Sequence, residues 1–102
     1  MTSTAALAEG SDLVAKQMQA TAGQSFPRHK ASAESVLVVT DGRCIIRFDG
    51  TQQTVEAGQV AVIAADEWHQ VEADPSFVAV HVMPRQIRFT FSAPPAGSST
   101  TH

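Results

Sequence analysis

The chain reads as an all-β protein. Short runs rich in Val, Ile and Phe recur along it, Gly, Pro and Asp separate them, and helical periodicity is close to absent. Turn signals fall roughly every eight to ten positions, the spacing of an all-β sandwich or barrel.

Each expected strand has its own warrant. The run at 35–40 is β-branched and apolar and is closed by Asp41-Gly42. The next run, 43–48, sets Arg43, Ile45 and Arg47 on one face against Cys44, Ile46 and Phe48 on the other. Asp49-Gly50 then makes a hairpin turn, where glycine supplies positive φ. Gln52 to Glu56 returns, Ala57-Gly58 turns again, and Val60 to Ile63 is a wholly apolar strand. Strands at 68–72 and 77–83 follow, with Asp74-Pro75 as the turn between them. Ile87, Phe89 and Phe91 alternate with Arg88 and Thr90, which gives a last strand with one apolar face. The segment 12–21 supports two readings. Asp12 can cap a helix through Leu13 to Met18, whose residues are good helix formers, or the same stretch can run extended.

Size and composition bound the rest. A chain of 102 residues is one domain and is large enough for a single core without disulfides. Residues 1–12, rich in Ala, Ser and Thr, read as a flexible lead-in, 13–91 as the domain, and 92–102 as a disordered tail. No apolar run approaches the length needed to span a bilayer, so no membrane partner is expected. The N-terminus lacks a basic region ahead of an apolar stretch and is not a secretory signal, which leaves a cytoplasmic location as the expectation. The net charge is −3 and the seven Lys and Arg are scattered, so the concentrated positive footprint of a nucleic-acid binder is missing. Cys44 is the only cysteine, which excludes an internal disulfide and a zinc site built on cysteine pairs.

The glycines and histidines carry a more specific pattern. Gly23 leads to His29 and on to Gly42, and Gly58 leads to His69. These spacings match G-x5-H-x-H-x3-E-x6-G and G-x5-P-x-G-x2-H-x3-N, the two motifs of the cupin superfamily, and the chain resembles its small single-domain members. The resemblance implies a cupin-type double-stranded β-helix, a jelly-roll barrel, and favours an extended strand leading into Gly23. It also implies that the metal-ligand places of the family fall on His29, Ala31, Ser35 and His69. A methyl group thus replaces one imidazole and a hydroxyl replaces the carboxylate. A two-imidazole site loses much of the ligand set that transition metals prefer. Glu34 lies one place before the expected glutamate and substitutes for it only if a bulge turns it to the other face.

Taken singly, His29 between Arg28 and Lys30 is an ordinary solvated histidine; the motif points it into the barrel. His69 stands where the second motif places its ligand, and the plainer reading is a histidine capping the barrel end. His81 interrupts the apolar run 78–83. It is either a satisfied core histidine or a replacement for the ligand lost at Ala31. With His29 and His69 it would make a three-imidazole site for a divalent transition metal such as zinc, nickel, iron, manganese or copper. Ser35 can offer a hydroxyl inside the barrel, but no adjacent base marks it as a nucleophile. Cys44 reads as a buried, inert thiol and Trp68 as a packing or rim residue. Arg43 and Arg47 either meet an anionic ligand or lie on a solvated face.

Three functions are compatible with this reading. The leading one is a small cupin that binds a small molecule in its barrel through His29, Ser35 and His69, with weak or no metal binding. The second is a metal-dependent enzyme of the dioxygenase or isomerase type using His29, His69 and a replacement ligand. The third is a non-catalytic structural or regulatory module. A homodimer is expected, because a small barrel leaves strand edges open and the apolar strand of Ile87, Phe89 and Phe91 calls for a cover.

Overall fold

The computed structural model describes residues 2–92. Eight antiparallel strands follow in chain order: β1 (Thr2–Glu9), β2 (Leu13–Ala20), β3 (His29–Ala31), β4 (Ser35–Phe48), β5 (Gln52–Glu56), β6 (Val60–Ile63), β7 (His69–Pro84) and β8 (Phe89–Phe91). They form one curled sheet whose two halves enclose the core. In the first half the order is β1, β2, the C-terminal part of β7, the N-terminal part of β4, then β6. In the second it is β8, β3, the N-terminal part of β7, the C-terminal part of β4, then β5. The chain is all-β, with the layout of a double-stranded β-helix barrel.

The two long strands hold the halves together. Asp41-Gly42, expected as a turn, lies within β4, and Asp74-Pro75, also expected as a turn, lies within β7. The β4–β7 pairing shifts register on both sides of Gly42, so this is a bulge at which both strands pass from one half to the other. Gly42 has φ +72°, and a Cβ there would overlap the Ser76 carbonyl. A turn residue in sequence thus serves as a corner, because its partner strand bends beside it. The Asp49-Gly50 and Ala57-Gly58 turns stand as expected, with positive φ at both glycines.

The core follows from alternation. Along β7 the odd-numbered residues are buried on both sides of the bend: His69, Val71 and Ala73, then Phe77, Ala79, His81 and Met83. Leu37 and Val39 meet them from the first half, Cys44 and Ile46 from the second. Within residues 12–21, Leu13–Ala20 forms a strand, β2, which pairs with β7 along its whole length. Residues 2–9, read from sequence as a loose lead-in, form β1 against β2. That strand was hidden because seven of its eight residues are exposed, so no apolar alternation marks it. Ile87 falls outside β8, in the turn after β7. The expected tail lies outside the described residues save for Ser92.

Candidate functional site

His29 opens β3 and His69 opens β7, and the two are direct partners across the strand pair. Opposed side chains on one face of an antiparallel pair touch, and here the rings stack obliquely with centroids 4.4 Å apart. Each imidazole is pinned by its own loop. His29 donates from Nδ1 to the Pro27 carbonyl and His69 from Nδ1 to the Glu67 carbonyl, both at 2.9 Å. A carbonyl only accepts, so Nδ1 carries the proton in both neutral rings and Nε2 is left as an acceptor. Neither Nε2 has a hydrogen-bond partner among the described residues. The loop that presents His69 turns at Asp66, with φ +61°, where the motif places glycine. Aspartate is among the few other residues that adopt this conformation readily.

Both rings face a cavity of about 320 Å³. Its wall is predominantly apolar and aromatic, built from Met18, Phe26, Leu37, Ile63, Phe89 and Phe91 among others. Phe89 meets His29 edge-on at 5.3 Å between centroids, and Phe91 lies at 5.6 Å. The remaining titratable groups on the wall are His81 and Lys16, which are register partners on β7 and β2. Among the described residues no aspartate or glutamate lines the cavity.

His81 is buried and its Nε2 is 2.8 Å from the Ser35 hydroxyl. Burial pushes its pKa down to about 4, and the nearby His29, His69 and Lys16 add to that shift. It is therefore a neutral imidazole at ordinary pH. Burial also lowers the pKa of His69; the bond to the Glu67 carbonyl opposes that shift and the neighbouring His29 adds to it. Ser35 is buried but not on the cavity wall, and its hydroxyl serves His81.

The donor set does not fit a resident metal. Among the described residues, no group of three His, Cys, Asp or Glu side chains is placed to hold an ion. His29 and His69 supply two nitrogens, the third family place is Ala31, and Glu34 is exposed and off the cavity wall. Cys44 is fully buried, and burial raises its thiol pKa to about 11. Arg43 pairs with Glu56 and Asp74, and Arg47 with Glu72, on the outer face. Trp68 is half-buried beneath Arg28 and Lys30, 4.6 and 5.3 Å from its ring centroid.

Sequence reasoning missed Lys16, Phe26 and the inward role of Phe89 and Phe91. The signal for Lys16 was present: it shares a strand phase with Val14, Met18 and Ala20. That file becomes visible only once the segment is known to be a strand.

A curled antiparallel barrel with paired histidines at an apolar cavity is the cupin architecture. A family model described as the AraC-like ligand-binding domain matches residues 15–93, and the chain belongs to that family. Solved structures agree on the fold. A cupin-2 domain-containing protein from Shewanella frigidimarina superposes with a TM-score of 0.74 at 25% identity, over 81% of this chain and 80% of that one. A conserved protein with a double-stranded β-helix domain from Klebsiella pneumoniae gives 0.79 at 19% identity, over 91% and 85%. Salicylate 1,2-dioxygenase from Pseudoaminobacter salicylatoxidans, solved with gentisate, gives 0.80 at 12% identity over 91% of this chain but 30% of that enzyme. At such identity the likeness is one of fold. No curated protein matches the sequence. Among the described residues no helix is long and apolar enough to cross a membrane.

Proposed function

We propose that this chain binds a small, largely apolar molecule inside its barrel, with His29 and His69 accepting a hydrogen bond from a ligand hydroxyl or amine. The observation that carries this reading is the pair of unpartnered Nε2 acceptors on an otherwise apolar wall. An apolar concavity with a few convergent polar groups is the usual form of a small-molecule site. The pinned Nδ1 atoms fix both rings in advance, so binding loses little side-chain freedom. Ser35 contributes by holding His81. A metal-dependent reaction is the weaker reading, because two imidazoles fall short of the three protein ligands usual in catalytic zinc sites.

The test is calorimetric titration with 3-phenylpropan-1-ol, which offers an aromatic body and one hydroxyl. Binding to the wild type, weakened in His29→Phe and His69→Phe, supports the reading. Absence of heat, or wild-type affinity retained in both variants, contradicts it.

A homodimer belongs to the same proposal, through a different surface from the last strand. Phe89 and Phe91, although exposed, face the cavity. The outer face of the first half-sheet instead sets Val82, Val36 and Val62 in one row and Val80, Val38 and Val60 in the next. Val60 and Val62 are more than half exposed. These rows carry no charged residue, so two copies can meet there about a twofold axis without burying a charge. Light scattering should report a dimer for the wild type and a monomer for Val62→Glu; a monomeric wild type at micromolar concentration would refute this.

A further inference from the structure

Resting on the small-molecule reading above, we infer that the cavity prefers a ligand that carries a carboxylate in addition to the donor read by His29 and His69, with an apolar or aromatic body inside the barrel and its single anionic group paired with Lys16 at the solvent edge. Three observations lead there. Lys16 is exposed to solvent and is nevertheless part of the cavity wall, so its ammonium can meet a ligand at the opening. It has no carboxylate partner among the described residues, whereas Arg28, Arg43 and Arg47 all do. Among the described residues the wall carries no acidic side chain, so no fixed negative charge competes with an incoming anion.

The chemistry favours a monoanion. One lysine offers a point charge with three donors, without the fork that a dianionic phosphate would use. The aromatic wall rewards burial of the body at about 25 cal/mol for each Å² removed from water. The anion remains at the edge, where it keeps part of its hydration. Lys16 and His81 face each other across the β2–β7 pair, and the Lys16 charge is one of the influences that keep His81 neutral. An anion at Lys16 would therefore sit beside a neutral imidazole and meet no buried cation.

The experiment compares 3-(4-hydroxyphenyl)propanoate with 4-(3-hydroxypropyl)phenol, which share an aromatic body and a phenol that can donate to His29 or His69 and differ in the group at the other end, carboxylate against alcohol, on wild type and Lys16→Gln. The substitution is on an exposed side chain, and unchanged thermal unfolding checks that the barrel is intact. The expected result is that wild type binds the carboxylate about five- to tenfold more tightly than the alcohol, about 1 kcal/mol or slightly more. Lys16→Gln should abolish that preference and remove the salt dependence of carboxylate binding. Equal wild-type affinity for the two probes, or a preference that survives Lys16→Gln, overturns the inference and leaves the small-molecule reading standing. Failure of both probes to bind overturns both.

Discussion

Acidification from about pH 7 to about pH 4.5 should cost the folded barrel roughly 2 to 3 kcal/mol through His81 alone. Its pKa is pushed down to about 4 from an ordinary 6.5, mainly by burial. Between those values the unfolded chain takes up a proton that the folded chain excludes. Stability rises with pH wherever the unfolded state binds more protons, so this group's neutral burial costs nothing above about pH 6.5 and destabilises the fold progressively as pH falls towards 4. Each unit of difference is worth about 1.4 kcal/mol, which sets the figure at about pH 4.5. His69, shifted in the same direction, adds to the loss. Glu72, held below its usual range by the bond to Arg47, contributes mainly at lower pH. The assay is urea unfolding at the two pH values for the wild type and for Ser35→Ala/His81→Leu. That double variant removes both partners of the buried hydrogen bond, so neither is left unsatisfied. It should lose about 2 kcal/mol less than the wild type on acidification. An equal loss in both proteins would refute the buried, neutral state of His81.

Other perturbations have definite expected outcomes. Gly42→Ala should destabilise by about 3 kcal/mol or more in urea unfolding, because it adds a Cβ overlap with Ser76 to the strain of positive φ. Gly50→Ala, with positive φ and open space around it, should cost only about 1 kcal/mol. Leu37→Ala, at a fully buried position on the cavity wall, should cost about 2 to 5 kcal/mol by the same assay. Arg47→Ala should lower stability by no more than about 1 kcal/mol, since its pair with Glu72 is partly exposed. Zinc added to the wild type should bind weakly and be lost on desalting, as measured by elemental analysis; one tightly held equivalent would contradict the two-imidazole donor set.

Much of the fold was legible because burial writes itself into β4 and β7 as alternation and into β6 as an apolar run, while the Asp49-Gly50 turn marks β5. The glycine and histidine spacings added the architecture, and they placed His29 opposite His69. Alternation fails where both faces of a strand are solvated, which is why β1 left no trace. It also says nothing of whether a glycine turns the chain or bends it. Asp41-Gly42 and Asp74-Pro75 look like hairpin signals, and only the neighbouring strand decides that they are a shared corner. The site was readable to the extent of two imidazoles. His81 depended on phase across that corner, and Lys16 on knowing that residues 13–20 run extended.

The proposed function requires that His29 and His69 present fixed, unprotonated Nε2 atoms to a ligand in the cavity. Long-range ¹H–¹⁵N NMR of the imidazole nitrogens at about pH 7.5, with and without 3-phenylpropan-1-ol, tests it most directly. Both rings are expected as the Nδ1-protonated tautomer, with the Nε2 resonances moving on addition of the alcohol while Nδ1 stays bonded to its carbonyl. Nε2-protonated rings, or Nε2 resonances indifferent to a saturating probe, would contradict it.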